Sequence, residues 1–520
     1  MSAQQIAHHR RWWTLAVLSM SLVVISLDNT VLNVALPSLR TDLGASGTDL
    51  QWIVDAYMLV FAGLLLTAGA LGDRFGRKRA LTGGLVVFGT GSGLAALTQD
   101  PAALIASRAL MGLGAAFIMP STLSILTHVF PAEERAKAIG IWAALAGLGI
   151  AIGPVAGGWL LEHGDWHLVF VVNLPLVVAA LAAGRFLVPE SRDPQQARLD
   201  PLGALLSIAA LSTLLYAIID APLRGWTDSL VLAAFAVAIV LGTAFVIWER
   251  HAPQPMIDLA LLRNPRFSGA SSAIALLFFA LFGFMFLMTQ YLQSVLGYDA
   301  LQAGVRMLPV AGGLVVASGL SSRLQHVLGT KVLVSGGLVV VAGAMLWLST
   351  AGAQTGYGML GSAIGLLGFG IGLAMAPATD SVMGSVPSDH ASVGSAVNDA
   401  TRLVGGAQGV AVLGSLLASH YRDGMSDAVQ TLPAPAADAA SGSIGGALEI
   451  AARAGGAAGQ ALHDAAVAAF VDGMQATLLV AAAVALAGAL SAARYLPSRA
   501  PAAAGAQDER ATGERQAVAV

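Results

Sequence analysis

Six charged side chains lie well inside long apolar runs, away from the run ends: Asp28, Asp55, Asp399, Arg108, Arg306 and Arg402. A charge in a bilayer interior costs at least ~2.5–3.5 kcal/mol on insertion scales, so each needs a partner or a purpose. A carboxylate in an apolar cavity favours its neutral form, and a nearby cation favours the charged one. Such a group can take up a proton in one conformation and release it in another. A cationic organic molecule can compete for the same carboxylate. Exchange of protons for cations across a barrier is therefore the chemistry these residue types allow. Arg108 is followed one helical turn later by Gly112, which leaves room for its guanidinium to lie against a neighbouring backbone. Arg402 has Gly405, Gly406 and Gly409 after it and Asp399 three residues before it. That spacing allows an ion pair within one helix, so a plain structural pair and a transport site stay open together. Arg306, close to Pro309, is read as snorkelling to the interface. Asp380, near the end of a run, is read as a solvated loop carboxylate.

The elements that position these groups are membrane helices. Only 11% of the 520 residues are charged, against roughly a quarter in soluble domains, and the mean hydropathy is +0.74. Helices that are apolar all round need lipid around them. Sixty glycines suit helices in close contact, and the absence of Cys excludes disulfides, thiol catalysis and thiolate metal sites. Apolar runs of about 20 residues fall at 13–37, 50–71, 81–98, 102–127, 137–161, 167–188, 201–220, 229–249, 268–292, 301–322, 331–350, 357–379, 392–418 and 471–495. With the N-terminus inside, 20 of the 27 Lys and Arg fall in cytoplasmic segments, four in external loops and three within spans. That bias orients the chain with both termini in the cytoplasm.

The expected fold class is an all-α membrane protein of fourteen transmembrane helices: two six-helix bundles plus two inserted helices. The parts are a cytoplasmic N-terminus 1–12, an N-terminal bundle 13–188, a linker with two extra helices 189–266, and a C-terminal bundle 267–495. An external loop spans 420–470, partly helical around Glu449 and Arg453, and a disordered cytoplasmic tail covers 496–520. The run Gly69-Ala70-Leu71-Gly72-Asp73-Arg74-Phe75-Gly76-Arg77-Lys78-Arg79-Ala80-Leu81 joins the second and third spans. A fainter copy, Gly319-Leu320-Ser321-Ser322-Arg323 with Gly329-Thr330-Lys331, follows the second span of the later half. Two similar halves around a midplane site are a transporter architecture.

Further runs narrow the reading: Leu27-Asp28-Asn29-Thr30 to Pro37, Gln51-Trp52-Ile53-Val54-Asp55-Ala56-Tyr57, Arg108-Ala109-Leu110-Met111-Gly112, and Gly149-Ile150-Ala151-Ile152-Gly153-Pro154-Val155-Ala156-Gly157-Gly158. Together with the basic turn they resemble the fourteen-helix drug/proton antiporters of the major facilitator superfamily, the multidrug and quaternary-ammonium exporters. The resemblance covers about residues 12–418. It implies the major facilitator fold and proton-coupled export of amphipathic, cationic drugs or antibiotics across the bacterial plasma membrane. It also implies a role for Arg108 in proton transfer, and it sets Asp55 at the acidic position of the quaternary-ammonium exporters. The G-P-x-x-G-G element resembles the antiporter signature. One departure is visible: these proteins commonly carry Trp-Arg where this chain has Trp166-His167, ahead of Asn173-Leu174-Pro175.

On this reading Asp28, Asp55, Arg108, Asp399 and Arg402 serve proton coupling and substrate. Gly69, Asp73, Arg74, Gly76 and Arg77 form a cytoplasmic gate, in which Asp73 meets the positive end of a helix in the other half. Charge that merely fixes topology accounts for the basic residues but not for Asp73. Gly149, Gly153 and Gly157 form a smooth stripe, with Pro154 bending the helix and Gly158 beside it. The stripe is either a hinge and seal between the halves or ordinary close packing. No catalytic or metal site is expected: His163 and His167 with Asp165 make only a weak pattern in a glycine-broken loop. No G-x-x-x-x-G-K-[ST] is present to support ATP drive, so no cofactor is expected beyond the proton gradient. The expected partners are small-molecule drugs, protons and lipid, without nucleic acid, and a monomer is expected. The alternatives are a proton-coupled importer of a small metabolite and a non-transporting membrane sensor.

Overall fold

Aspartate precedes four of the apolar runs, and in each case its side chain starts the helix. Asp100 accepts from the Ala103 amide at 2.9 Å, Asp200 from Gly203 at 2.9 Å, Asp228 from Leu230 at 2.9 Å and Asp299 from Gln302 at 2.7 Å. Pro101 and Pro201 follow two of these caps, where a missing N–H is harmless. The resulting protein is all helix in a computed structural model that describes residues 3–43, 45, 47–192, 200–252, 255, 260–386 and 391–497. The tail beyond 497 lies outside the described residues, as do the side chains of Asp55 and Pro154.

The helices run in order: α1 Ala3–Asp42, α2 Gly47–Phe75, α3 Arg77–Ala95, α4 Pro101–Val129, α5 Ala132–His163, α6 Leu168–Val171, α7 Asn173–Leu187, α8 Pro201–Arg224, α9 Ser229–His251, α10 Ala260–Arg263, α11 Pro265–Gln290, α12 Ala300–Leu348, α13 Tyr357–Met383, α14 Ala391–Met425, α15 Ala434–Gly442, α16 Ile444–Ala454 and α17 Gly456–Tyr495. A π-helical turn, Tyr291–Val295, continues α11. All fourteen apolar runs read from the sequence are helical. Among the described residues, eleven helices are long and apolar enough to cross a membrane. One of those, α12, leaves helical geometry at Gly329 (φ 76°, ψ 164°), so it is two helices joined at a single residue.

Helices α1–α7 pack on one another, and so do α11–α14 and α17. The two groups meet where α5 lies along α12 and α13, and where α2 and α4 lie against α14. The pair α8 and α9 sits beside this seam, with α8 touching both α2 and α14. Trp226, just after α8, donates to Ser415 Oγ on α14 at 2.8 Å. The segment 420–470 is more ordered than a loop. It consists of the end of α14, the short α15 and α16, and the start of α17. Glu449 and Arg453 pair along α16, and the buried Tyr421 hydroxyl donates to Ala440 O at 3.0 Å.

Candidate functional site

Asp28 on α1 and Arg108 on α4 form an ion pair at 2.5 Å with exposures of 0% and 1%. Both oxygens of the carboxylate are used. Arg108 Nη1 donates to Asp28 Oδ2, and Asn173 Nδ2 on α7 donates to Asp28 Oδ1 at 3.0 Å. Arg108 Nε donates to the Ile53 carbonyl of α2 at 3.1 Å, and its guanidinium lies 4.4 Å from the Tyr57 ring centre. Gly112 allows this approach, since a Cβ there would lie 2.5 Å from Tyr57 O. The expected room for a guanidinium against a backbone is thus present. The network continues outward: Asn173 Nδ2 also reaches Ser92 Oγ at 3.1 Å, and Ser92 Oγ donates to Phe170 O at 2.8 Å. Four helices are tied to one carboxylate. Asp55 lies on α2 in the same region of the chain, and its side chain is outside the described residues.

The second buried carboxylate is Asp399 on α14. Arg402 stands 3.8 Å away in the same helix, with exposures of 0% for Asp399 and 4% for Arg402. Asp399 Oδ1 accepts from Asn398 Nδ2 at 3.3 Å, while Oδ2 accepts no hydrogen bond among the described residues. Arg402 donates to Thr379 Oγ1 of α13 at 2.8 Å, and its buried Nε has no acceptor. Its guanidinium lies 5.2 Å from the Trp142 ring of α5 and 5.3 Å from the Phe278 ring of α11. Arg402 therefore reaches across the seam between the two helix groups. Within-helix pairing and buried polar atoms without a partner among the described residues are both present here.

The turn 69–79 folds back on its own half. Gly69 and Gly76 are buried, and Arg74 lies 5.3 Å from the Phe75 ring. Asp73 Oδ1 accepts from Arg77 Nε at 2.9 Å, and both side chains are buried. This is a pair within the turn. The region before α14, on the other half, includes 387–390, which lie outside the described residues. Gly76 sits at φ 115°, open to glycine alone without strain, and a Cβ there would meet Glu190 Oε1 at 2.7 Å. Glu190 accepts from Lys78 N at 3.1 Å and pairs with Arg79 at 3.7 Å, while Arg77 N donates to Ser191 O at 2.9 Å. The turn is thereby stitched to the chain leaving α7.

Of the two readings of the glycine stripe, the contacts favour close packing over a seal between the halves. Gly149, Gly153 and Gly157 face α1, not the seam. A Cβ at Gly149 would lie 2.8 Å from Ser26 Cβ, at Gly153 2.7 Å from Thr30 Cβ, and at Gly157 3.2 Å from Val31 O. The stripe braces the two turns of α1 that hold Asp28. Contact across the seam comes instead from Gly140 against Ser318, Gly147 against Leu314 and Gly158 against Leu301. Asp380 departs from its reading: it lies half-buried in α13 and accepts from Gln325 at 3.1 Å. Arg306 does not simply snorkel but lies 3.7 Å from the Tyr298 ring. His167 pairs with Asp165 at 3.0 Å and stacks on the buried Trp166. Among the described residues no cluster of His, Asp or Glu could hold a metal ion.

A family model described as the Major Facilitator Superfamily matches residues 18–410. The chain belongs to the Major Facilitator Superfamily. It is similar to the multidrug efflux pump LfrA of Mycolicibacterium smegmatis, 37% identical over 481 residues that cover 92% of this chain and 95% of that protein. It is also similar to the methyl viologen resistance protein SmvA of Salmonella typhimurium, 35% identical over 472 residues, 89% of this chain and 93% of the other. These relatives set it among the drug/proton antiporters of the superfamily. The human organic anion transporter MFSD10 shares the fold, with a TM-score of 0.61 at 16% identity, covering 93% of this chain and 99% of that one.

Sequence reasoning singled out Asp28, Arg108, Asp399 and Arg402 but assigned nothing to Asn173, Trp142 or Glu190. A buried amide inside the apolar run of α7 was a usable signal for Asn173. Trp142 gave none, because aromatic residues are common in apolar helices.

Proposed function

We propose that this protein is a multi-pass plasma-membrane exporter that exchanges inward-moving protons for outward-moving amphipathic, cationic drugs. Both termini lie in the cytoplasm, protons and drugs are the transported partners, and the two helix groups rock about their seam. The observation that supports it most is the Asp28–Arg108–Asn173 network, in which both oxygens of a buried carboxylate are used and four helices of one half are tied together. Motion that parts Arg108 from Asp28 removes the cation that favours the charged carboxylate and lets it take up a proton. Returning Arg108 expels that proton. The glycine stripe on α5 carries the α1 stretch along with this motion. The names of the relatives point the same way: one is a multidrug efflux pump and one confers resistance to methyl viologen, a dication.

The test is a drug-susceptibility panel in an efflux-deficient host, followed by transport in purified proteoliposomes with only a pH difference imposed. Concentrative movement of a cationic dye against its gradient, abolished by Asp28→Asn, is the expected result. Dye movement that ignores the pH difference overturns the coupling.

A further inference from the structure

Arg402 is a cation resting in a site shaped for a cation. Its guanidinium lies 5.2 Å from the Trp142 ring and 5.3 Å from the Phe278 ring, within the ~6 Å over which a ring face attracts positive charge. A carboxylate stands beside it, yet at 3.8 Å Asp399 gives it an ion pair without a hydrogen bond. One hydrogen bond, to Thr379, holds the head group, and its Nε has none. Asp399 Oδ2 is buried and accepts no hydrogen bond among the described residues. A ring pair and a carboxylate with unused capacity are recognition chemistry for an organic cation.

We propose that Arg402 is a built-in cation that fills a substrate site made by Trp142, Phe278 and Asp399, and that a cationic substrate enters by displacing it. The proposal rests on the drug-export reading above and specifies which groups meet the drug. Displacement keeps the site neutral, because one positive charge leaves Asp399 as another arrives. An acceptor for the displaced guanidinium exists: Asn398 Oδ1, one turn earlier on α14, is buried and accepts no hydrogen bond among the described residues. Trp142 is presented by the opposite helix group, and its Nε1 donates to Thr122 Oγ1 at 3.3 Å, which fixes the ring. The site is therefore complete only while α5 holds Trp142 beside Arg402 of α14. Movement of the two groups apart withdraws Trp142 and weakens the hold on the cation, which is what release requires.

Binding to the purified full-length protein in nanodiscs tests this, with tetraphenylphosphonium as the cationic probe and triphenylphosphine oxide as a neutral one. Arg402→Gln removes the competitor, and tetraphenylphosphonium is expected to bind about tenfold more tightly than to wild type, a gain of ~1.4 kcal/mol. The neutral probe is expected to bind unchanged. Equal or weaker binding of the cation to Arg402→Gln, or no binding to either protein, overturns the proposal. Trp142→Leu and Trp142→Phe supply an independent reading if Arg402→Gln fails to fold. The Leu variant is expected to lose at least tenfold in cation affinity while the Phe variant retains most of it, and equal affinities overturn the proposal. Wild type that transports the probe while Arg402→Gln binds no better refutes the displacement alone. Wild type that moves no drug of the susceptibility panel refutes the export reading instead.

Discussion

The two buried aspartate–arginine pairs have the same charges and nearly the same burial, but opposite states of satisfaction. Asp28 and Arg108 come from different helices, meet at 2.5 Å, and leave no strong donor or acceptor of the carboxylate unused. Asp399 and Arg402 share one helix, stand 3.8 Å apart, and leave Oδ2 and Nε without a hydrogen-bond partner among the described residues. A buried polar group without a partner costs about 1–3 kcal/mol, so a fold keeps such groups where something else uses them. Burial alone does not separate a working site from a strut. The difference lies in how many hydrogen bonds remain to be made. The first pair can change only when helices move, and the second can change when a side chain turns.

Breaking the first pair should have the largest effect. Arg108→Ala strands a buried carboxylate, and removing one partner of such a pair typically costs about 3–5 kcal/mol. Low yield and a lowered Tm of the purified protein are expected. Adding Asp28→Asn should restore much of the Tm but no proton-coupled transport. If the single Arg108→Ala protein matches wild type in Tm, the network is not the strut that its geometry indicates.

The stripe behind Asp28 comes next. Gly153→Leu drives a side chain into Thr30 and Val31, and overpacking of this kind costs roughly 1–3 kcal/mol. Lost exchange is expected in protein that still inserts, because the turn of α1 bearing Asp28 is pushed from Arg108. Gly140→Leu tests the same helix on its seam face, against Ser318. It should impair opening rather than proton binding. Equal proton uptake by the two variants would dissolve the distinction between bracing α1 and sealing the seam.

Asp399→Asn should separate stability from transport. Its carboxylate makes one hydrogen bond at 3.3 Å among the described residues and an ion pair at 3.8 Å, and Arg402 keeps its bond to Thr379 and its ring contacts, so the drop in Tm should be smaller than that of Arg108→Ala. Export of tetraphenylphosphonium should nonetheless fall at least tenfold. A Tm drop as large as that of Arg108→Ala would show that the second pair is a strut too.

The parts legible in the sequence were those that local physics makes conspicuous. Asp28, Arg108 and Asp399 stood out because charge in an apolar run is costly, and all three are buried. Apolar runs of bilayer length gave the helices, and Gly112 announced a close backbone contact that the structure contains. The rest depended on partners far along the chain. Asn173 meets Asp28 across 145 positions, and Trp142 meets Arg402 across the seam. The stripe at Gly149, Gly153 and Gly157 was plain in the sequence, but periodicity shows that a face is smooth, not which neighbour lies on it. Asp380 looked like a loop residue because it ends an apolar run, whereas α13 continues to Met383.

The smallest effect should come from a third acidic group, Glu190, whose pairing lies at the surface. Its Oε1 accepts from Lys78 N at 3.1 Å and from Ser191 N at 3.2 Å, and its contact with the exposed Arg79 is 3.7 Å. Glu190→Gln keeps an oxygen for both amides and loses only charge, and exposed ion pairs contribute about 0–1 kcal/mol. Stability and efflux should stay within about twofold of wild type, measured as dye export per unit of expressed protein. Asp73→Asn changes charge alone as well, but its pair with Arg77 is buried, at 2.9 Å. Sharply reduced transport with normal insertion is expected there. If Glu190→Gln proves as damaging as Asp73→Asn, charge on the turn matters regardless of burial. The ordering by burial and saturation, from Arg108 through Asp399 to Glu190, would then fail at its last step.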